Sequence, residues 1–296
     1  MDRAKKSYLF AGLAVFFWST IPTVFKIGLG ELEILPMLTI ASITSTIVLF
    51  IIVIAGKKFE LVRKSSSKDL LISALLGLLN PFIYYLILLK AYKILPAQVA
   101  QPLNMIWPII LVFLSVPVLK QKIPVKSFAA LLVSFAGVYI ISSQGHPLHP
   151  GKSDTTGVLL ATGSSVFWAL YFIFNLKDKR DGSVKLFTNF FFASIYLLIC
   201  CLIFLNPGTT ISCKGAAASV YVGIFEMGMT FFFWLKALQL ATTSDKVSNL
   251  VYLAPFISLI FVHFIIKEPV YYTTPAGLLF IIAGIFIQNR RSKTIY

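Results

Sequence analysis

Apolar runs of about 20 residues recur along this 296-residue chain, parted by short polar breaks. A helix rises 1.5 Å per residue, so a run of that length crosses the roughly 30 Å hydrocarbon layer of a bilayer. The pattern predicts helices at 8–28, 34–55, 69–90, 97–119, 124–143, 157–176, 184–205, 216–237, 245–266 and 272–289. The breaks carry helix-ending residues: Gly30 to Pro36, Gly56 to Lys68, Leu95-Pro96, Lys120 to Pro124, and Asn206-Pro207-Gly208. An all-α integral membrane protein with ten transmembrane helices follows, with little chain left for a soluble domain.

Charge then orients the bundle. Of the 26 Lys and Arg, only Lys26, Lys90, Lys93, Lys152, Lys214 and Lys267 fall on one side of this layout. The other 20 share the side of the amino terminus, and basic residues mark the cytoplasmic side. Both termini are therefore expected in the cytoplasm. The same bias explains a net charge of +15 that in a soluble chain would suggest nucleic acid. The opening MDRAKKSYLFAGLAVFFWST has the charge order of a signal peptide. Its apolar stretch is long and no small-x-small cleavage site closes it, so it reads as a retained first span. Composition agrees, with 12% charged residues where a soluble domain carries about 25%. Cys200 and Cys201 lie in an apolar run and Cys213 in a short loop, a spacing that suggests neither a metal nor a disulfide framework. No cofactor is expected.

The two halves of the chain resemble each other. LLKAYKILPAQVAQPLNMIWPIILVFL (Leu88 to Leu114) parallels WLKALQLATTSDKVSNLVYLAPFISLIFV (Trp234 to Val262), with Lys90-Ala91 against Lys236-Ala237 and Pro108 against Pro255. Further on, Ala136-Gly137 falls opposite Ala283-Gly284, and FFWS at Phe16 matches VFWA at Val166. This divides the chain into a first five-helix repeat at 1–146, an outer linker at 147–156, and a second repeat at 157–296. A unit of five spans is odd, so the second repeat must be inverted in the membrane, an architecture that recurs in transporters. His146 and His149, in the joint GHPLHPGKSDTTG (Gly145 to Gly157), read as loop residues rather than metal ligands.

Ten helices, two five-helix repeats, a Phe/Trp-bearing first helix in each half and Pro-bearing fourth and ninth helices resemble the drug/metabolite transporter superfamily, EamA type. The resemblance covers almost the whole chain. It implies a central cavity lined by the first, third, fourth, sixth, eighth and ninth helices. It also implies a cargo such as an amino acid, a nucleotide-related metabolite or another small organic solute.

Helical phase points to the same helices. Ser164, Trp168, Tyr171 and Asn175 share one face of the sixth, and Gln98, Gln101, Asn104 and Pro108 occupy about a third of the fourth. Ser244, Ser248, Tyr252 and Pro255 align on the ninth, and Trp18, Pro22 and Phe25 on the first. Amides are costly against lipid, so these stripes should face inward, either lining a cavity or tying helices together. Pro108 and Pro255 suit a kinked packing helix or a gate equally.

One residue stands apart. Of eleven acidic residues, only Glu226 falls near the middle of a predicted span. Counting back ten residues from Lys236 reaches Glu226, and ten from Lys90 reaches Asn80, so the repeat pairs the two at one depth. A carboxyl group there holds a proton, faces a wet cavity, pairs with a cation, or bonds to a neighbouring helix. The functional reading has Glu226 accepting a cationic group of the substrate or exchanging it for a proton. Trp18, Tyr84, Trp107, Trp168 and Tyr171 would supply aromatic surfaces, and Asn80, Gln98, Gln101 and Asn104 polar contacts. Thr230, one turn on, shares the face of Glu226, and Asn175, Ser248 and Tyr252 complete the candidate lining.

These features predict a secondary active transporter, not an enzyme, working by alternating access on an amino acid or a related amine or cationic metabolite. A nucleotide-related sulfonium metabolite is the alternative cargo; a lipid-modifying enzyme or a channel is the alternative class. No GxxxxGK[ST] loop is present for ATP. The expected partners are a small-molecule substrate, the lipid bilayer and a coupling proton, with no nucleic acid. The plasma membrane, and specifically a bacterial inner membrane, is the expected location.

Overall fold

The computed structural model describes residues 3–120, 126–146, 153–205, 208–240 and 249–289. Among these there is no strand, and apart from a short helix at Phe59–Arg63 nearly all lie in apolar helical rods. They are α1 (Arg3–Glu31), α2 (Ile34–Ala55), α3 (Ser67–Ile94), α4 (97–119), α5 (Lys126–Ser142), α6 (Thr155–Lys177), α7 (Gly182–Phe204), α8 (213–240), α9 (249–266) and α10 (Thr273–Asn289). Seven of them, α1 to α4 and α6 to α8, are long and apolar enough to cross a membrane; α5, α9 and α10 are shorter apolar helices. Polar side chains start several rods by accepting their first free N–H groups. Asp154 accepts from Gly157 N (2.8 Å), Asp181 from Ser183 N (2.9 Å) and Ser212 from Gly215 N (3.0 Å).

Four rods are interrupted where sequence periodicity drew continuous helices. In α3 the chain widens over Leu78–Ile83, and Asn80 leaves helical geometry altogether at φ −150°, ψ 123°. Pro81 has no N–H to give to Gly77, so the regular ladder fails at that point. α8 widens over Val222–Glu226, the stretch that ends on the lone acid. α4 stops at Asn104 and restarts at Trp107, and α9 changes from a tight turn at Asn249–Leu253 to an α-helix from Ala254. Pro108 and Pro255 each sit in the first turn of the restarted piece, where a missing N–H costs nothing.

The rods pack in a reciprocal pattern. α5 lies along α10 and α2 along α7; α1 packs on α8 and α9, as α6 packs on α3 and α4. Glycine lets backbones meet at the crossings. A Cβ on Gly137 would stand 2.5 Å from the carbonyl of Gly277, and one on Gly277 would stand 2.6 Å from that of Gly137. Cβ atoms on Gly77 and Gly223 would collide with the carbonyls of Asn189 and Ala41, and one on Gly284 with the Ser134 hydroxyl. Gly12 and Gly163 have nothing within 4 Å, so their small size serves no close contact.

Charged residues gather at the two ends of the bundle. Lys93–Glu33 (2.7 Å), Lys214–Glu31 (3.0 Å) and Lys26–Glu268 (3.8 Å) lie at one end; Lys58–Asp181 (2.8 Å) and Arg180–Asp178 (2.6 Å) lie at the other. Between them the outer surface is apolar, with Leu132, Leu202, Phe204 and Phe264 each more than 70% exposed. Contiguous bare apolar surface of that kind is the mark of a face that meets lipid.

Candidate functional site

A cavity of about 150 Å³ opens among α1, α3, α4, α6, α8 and α9. Glu226 lines it, brought there at the end of the widened turn of α8. Its Oε1 accepts a hydrogen bond from the Tyr85 hydroxyl at 2.8 Å. Aromatic rings make most of the wall. Trp18 leans on Trp234 (5.5 Å between centroids), and Trp168 on Tyr84 (5.1 Å) and Phe231 (5.9 Å). Trp107 meets Trp168 edge-on at 6.3 Å. Phe25 and Tyr92, the latter contributed by α3, complete the rings.

The polar lining is small and largely committed. Asn104 Oδ1 accepts from the Tyr84 hydroxyl (3.2 Å) while its Nδ2 donates to Ser164 Oγ (2.7 Å). Gln101 accepts from Ser258 Oγ of α9. A group with an N–H to donate, set against aromatic faces, is what one carboxyl and several rings around a cavity of this size suit chemically.

Several residues expected in the lining stand elsewhere. Asn80 is buried beside Tyr171, because the break at its own position turns it toward α6 and α7. Tyr171 takes an amide contact from Asn189 (3.4 Å), with Asn175 also in reach, and faces that buried cluster rather than the cavity. Gln98 is fully engaged: it donates to Pro269 O and accepts from Tyr271 N (3.0 Å) and Thr274 Oγ1 (3.1 Å). Thr230 donates to the carbonyl of Phe225, satisfying a backbone group at the widened turn. Tyr252 packs edge-on against Phe286 of α10 (5.8 Å). Ser248 and Ser244 lie outside the described residues. The cavity thus brings together Glu226, Trp18, Tyr84, Gln101, Asn104, Trp107 and Trp168, and leaves Asn80, Gln98, Tyr171, Asn175, Thr230 and Tyr252 to contacts within and between helices.

The sequence profile of the EamA-like transporter family matches residues 5–143 and 155–290. The chain belongs to the EamA-like transporter family. Similar curated proteins carry matching names. An "uncharacterized transporter" of Clostridium kluyveri is 25% identical over 98% of this chain and 94% of its own length. The "uncharacterized transporter YvbV" of Bacillus subtilis is 28% identical over 87% and 84%, and a transporter of Archaeoglobus fulgidus is 24% identical over 97% and 99%. A solved crystal structure at 17% identity covers 96% of both chains with a TM-score of 0.66, a likeness of fold. This EamA-like protein is accordingly a multi-pass membrane protein of a transporter family.

Within the EamA-like fold, a polar cluster stands next to the cavity wall at Phe25 and Tyr92. Lys26, next to Phe25, donates to the carbonyls of Tyr92 (3.0 Å) and Leu95 (3.1 Å), the last turn of α3. Glu268, from the α9–α10 connection, accepts from Ala97 N through both oxygens (2.9 and 3.2 Å), where α4 presents its first free N–H. With Lys26–Glu268 between them (3.8 Å), this cluster joins the first matched segment to the second. No periodicity links positions 242 residues apart, and only their contrast with an apolar surround marked them.

Burial pushes the Glu268 carboxyl up from its ordinary value, against the opposing pull of Lys26 and of the Ala97 N–H. A raised carboxyl holds its proton more tightly folded than unfolded. Its contribution to stability is therefore complete below the unfolded value of about 4.3 and is lost as pH rises through the folded value. Glu268→Gln is expected to flatten the fall of melting temperature over that window, read by thermal unfolding in detergent. Parallel curves for variant and wild type would count against the assignment.

Proposed function

We propose that this EamA-like protein is a secondary carrier that moves a small organic metabolite across the plasma membrane by alternating access. An amino acid or a related amine or cationic metabolite suits it best. The observation that carries this reading is Glu226: a single carboxyl group opening on an aromatic cavity between the two family-matched segments. An ammonium or sulfonium group would meet the carboxylate while a planar or apolar body lies against Trp18, Trp168 and Tyr84. A proton is the natural competitor for the same oxygen, which makes proton exchange the simplest coupling.

The seven long and three shorter apolar helices are read as ten spans, arranged as two inverted five-helix units with both termini cytoplasmic. The reciprocal pairing supports that reading. So do the left-handed residues that end α4 and α9, Lys120 (φ 55°) and Lys267 (φ 57°), which occupy matching places in the two halves. The proposed setting is a bacterial inner membrane, and the proposed action transport rather than catalysis.

The test has two stages. Purified protein is screened by thermal shift against amino acids, amines and sulfonium compounds, and stabilising compounds are then followed in proteoliposomes. Saturable uptake with counterflow is the expected result. Flux that rises without saturation would identify a channel instead.

A further inference from the structure

The carboxyl group of Glu226 has two oxygens, and the structure treats them differently. Oε1 takes the Tyr85 hydroxyl at 2.8 Å. Tyr85 is 1% exposed and is not part of the cavity wall; it stands behind it, with its ring edge-on to Tyr84 (4.7 Å) and Phe25 (6.3 Å), which do line the cavity. Packing on both sides fixes where the hydroxyl points. A phenol that keeps its proton can donate only one hydrogen bond, and here it is spent on Oε1. Among the described residues no hydrogen bond holds the other oxygen, and Glu226 lines the cavity.

We propose that Tyr85 is a positioning residue that holds Oε1 of Glu226, reserves Oε2 for the proton or the cationic group of the solute, and ties that exchange to the relative placement of the two family-matched segments. This rests on the carrier reading above and deepens it. Tyr85 belongs to the segment 5–143 and Glu226 to the segment 155–290, so the bond spans the two. A hydrogen bond to an ionised acceptor is about twice as strong as one to a neutral group. When the segments are joined as here, the bond favours the charged carboxylate. Separating them removes the donor and favours a carboxyl that has taken up a proton or a cation. By linkage, proton uptake and separation then promote each other.

The surroundings leave Tyr85 as the group positioned to exert this control. The titratable neighbours contributed by α3 are Tyr84, Tyr85 and Tyr92, and of these Tyr85 makes the hydrogen bond to the carboxyl group. α6 contributes Tyr171, turned toward its asparagine cluster. α1 contributes Lys26, held by the carbonyls of Tyr92 and Leu95 and by Glu268. α2 and α4 carry no titratable residue from 34 to 55 or from 97 to 118. On α9 they are Tyr252, packed on Phe286, and the exposed His263; on α8 itself the nearest is Tyr221, bonded to Thr20 (2.9 Å).

Infrared titration of the full-length protein in detergent tests this without knowledge of the substrate. The wild type minus Glu226→Gln difference spectrum isolates the carboxyl band of Glu226. In Tyr85→Phe the band is expected to shift in frequency as Oε1 loses its donor. Its titration midpoint should rise by about one pH unit, a tenfold gain in proton affinity. Tyr196→Phe, a tyrosine of α7 bonded to the Ala74 carbonyl, should leave both unchanged. Hydrogen exchange of residues 84–94 should quicken at low pH in the wild type and lose that pH dependence in Tyr85→Phe. An unmoved band and midpoint in Tyr85→Phe would overturn the role. The carrier reading fails separately, if transport by Glu226→Gln matches wild type.

Discussion

Replacing Glu226 with Gln is expected to reduce transport by about 30-fold or more while leaving expression and membrane insertion normal. Glutamine keeps the shape and still accepts a hydrogen bond from Tyr85, so the aromatic wall and the packing of α8 should survive. What it removes is the negative charge and the exchangeable proton. Losing one partner of a desolvated charge contact costs about 2–5 kcal/mol, and each 1.4 kcal/mol is tenfold in affinity. Residual transport should also lose its pH dependence. Glu226→Asp retains the charge but withdraws it by one methylene, and should fall between the two. The measurement is initial uptake into proteoliposomes across a pH series, normalised to the amount of reconstituted protein. Wild-type kinetics and pH profile in Glu226→Gln would remove the residue from the mechanism.

The second large effect concerns the seam between α5 and α10. Valine at Gly137 or Gly277 places a branched side chain where the partner's backbone carbonyl stands 2.5–2.6 Å from the site of a Cβ. No rotamer relieves a clash with a backbone atom, so the helices must part or shift. Overpacking of this kind costs about 1–3 kcal/mol, and the two substitutions should not add, since either one alone opens the same crossing. Alanine at Gly12 and Gly163, where the space is open, should instead be neutral or slightly stabilising. Melting temperatures in detergent would separate the two groups. Equal tolerance at all four glycines would show that the seam is not tightly held.

The apolar runs made most of the fold legible, because the hydrocarbon layer sets a length that short polar breaks cannot disguise. Glu226 was legible for a related reason: a lone acid in an apolar run has few explanations. Tyr85 was not, since a tyrosine in a chain with twelve of them carries no such signal. Its position was further obscured by the break at Asn80, which changes the helical phase of everything after it. That break also turns Asn80 away from the cavity its counterpart Glu226 lines. The repeat places them at equivalent points of α3 and α8, and both helices do widen there, yet one side chain opens on the cavity and the other on Tyr171. Gln98 shows a different limit. Its stripe marked an inward face correctly, but a stripe of amides is the same whether it touches solute or the α9–α10 connection.

The interruptions in α3 and α8 bear on what a moving part of this protein would be. An unbroken helix transmits a tilt along its whole length, so a shift at one end must be felt at the other. A rod broken near its middle behaves as two short levers sharing a pivot. The stretch of α3 before Asn80 packs on α7, and the stretch after Ile83 packs on α6. On the carrier reading, either lever could swing while its partner stays seated. The smallest unit of motion is then half a helix, with Tyr85 on one such lever and Glu226 at the pivot of another.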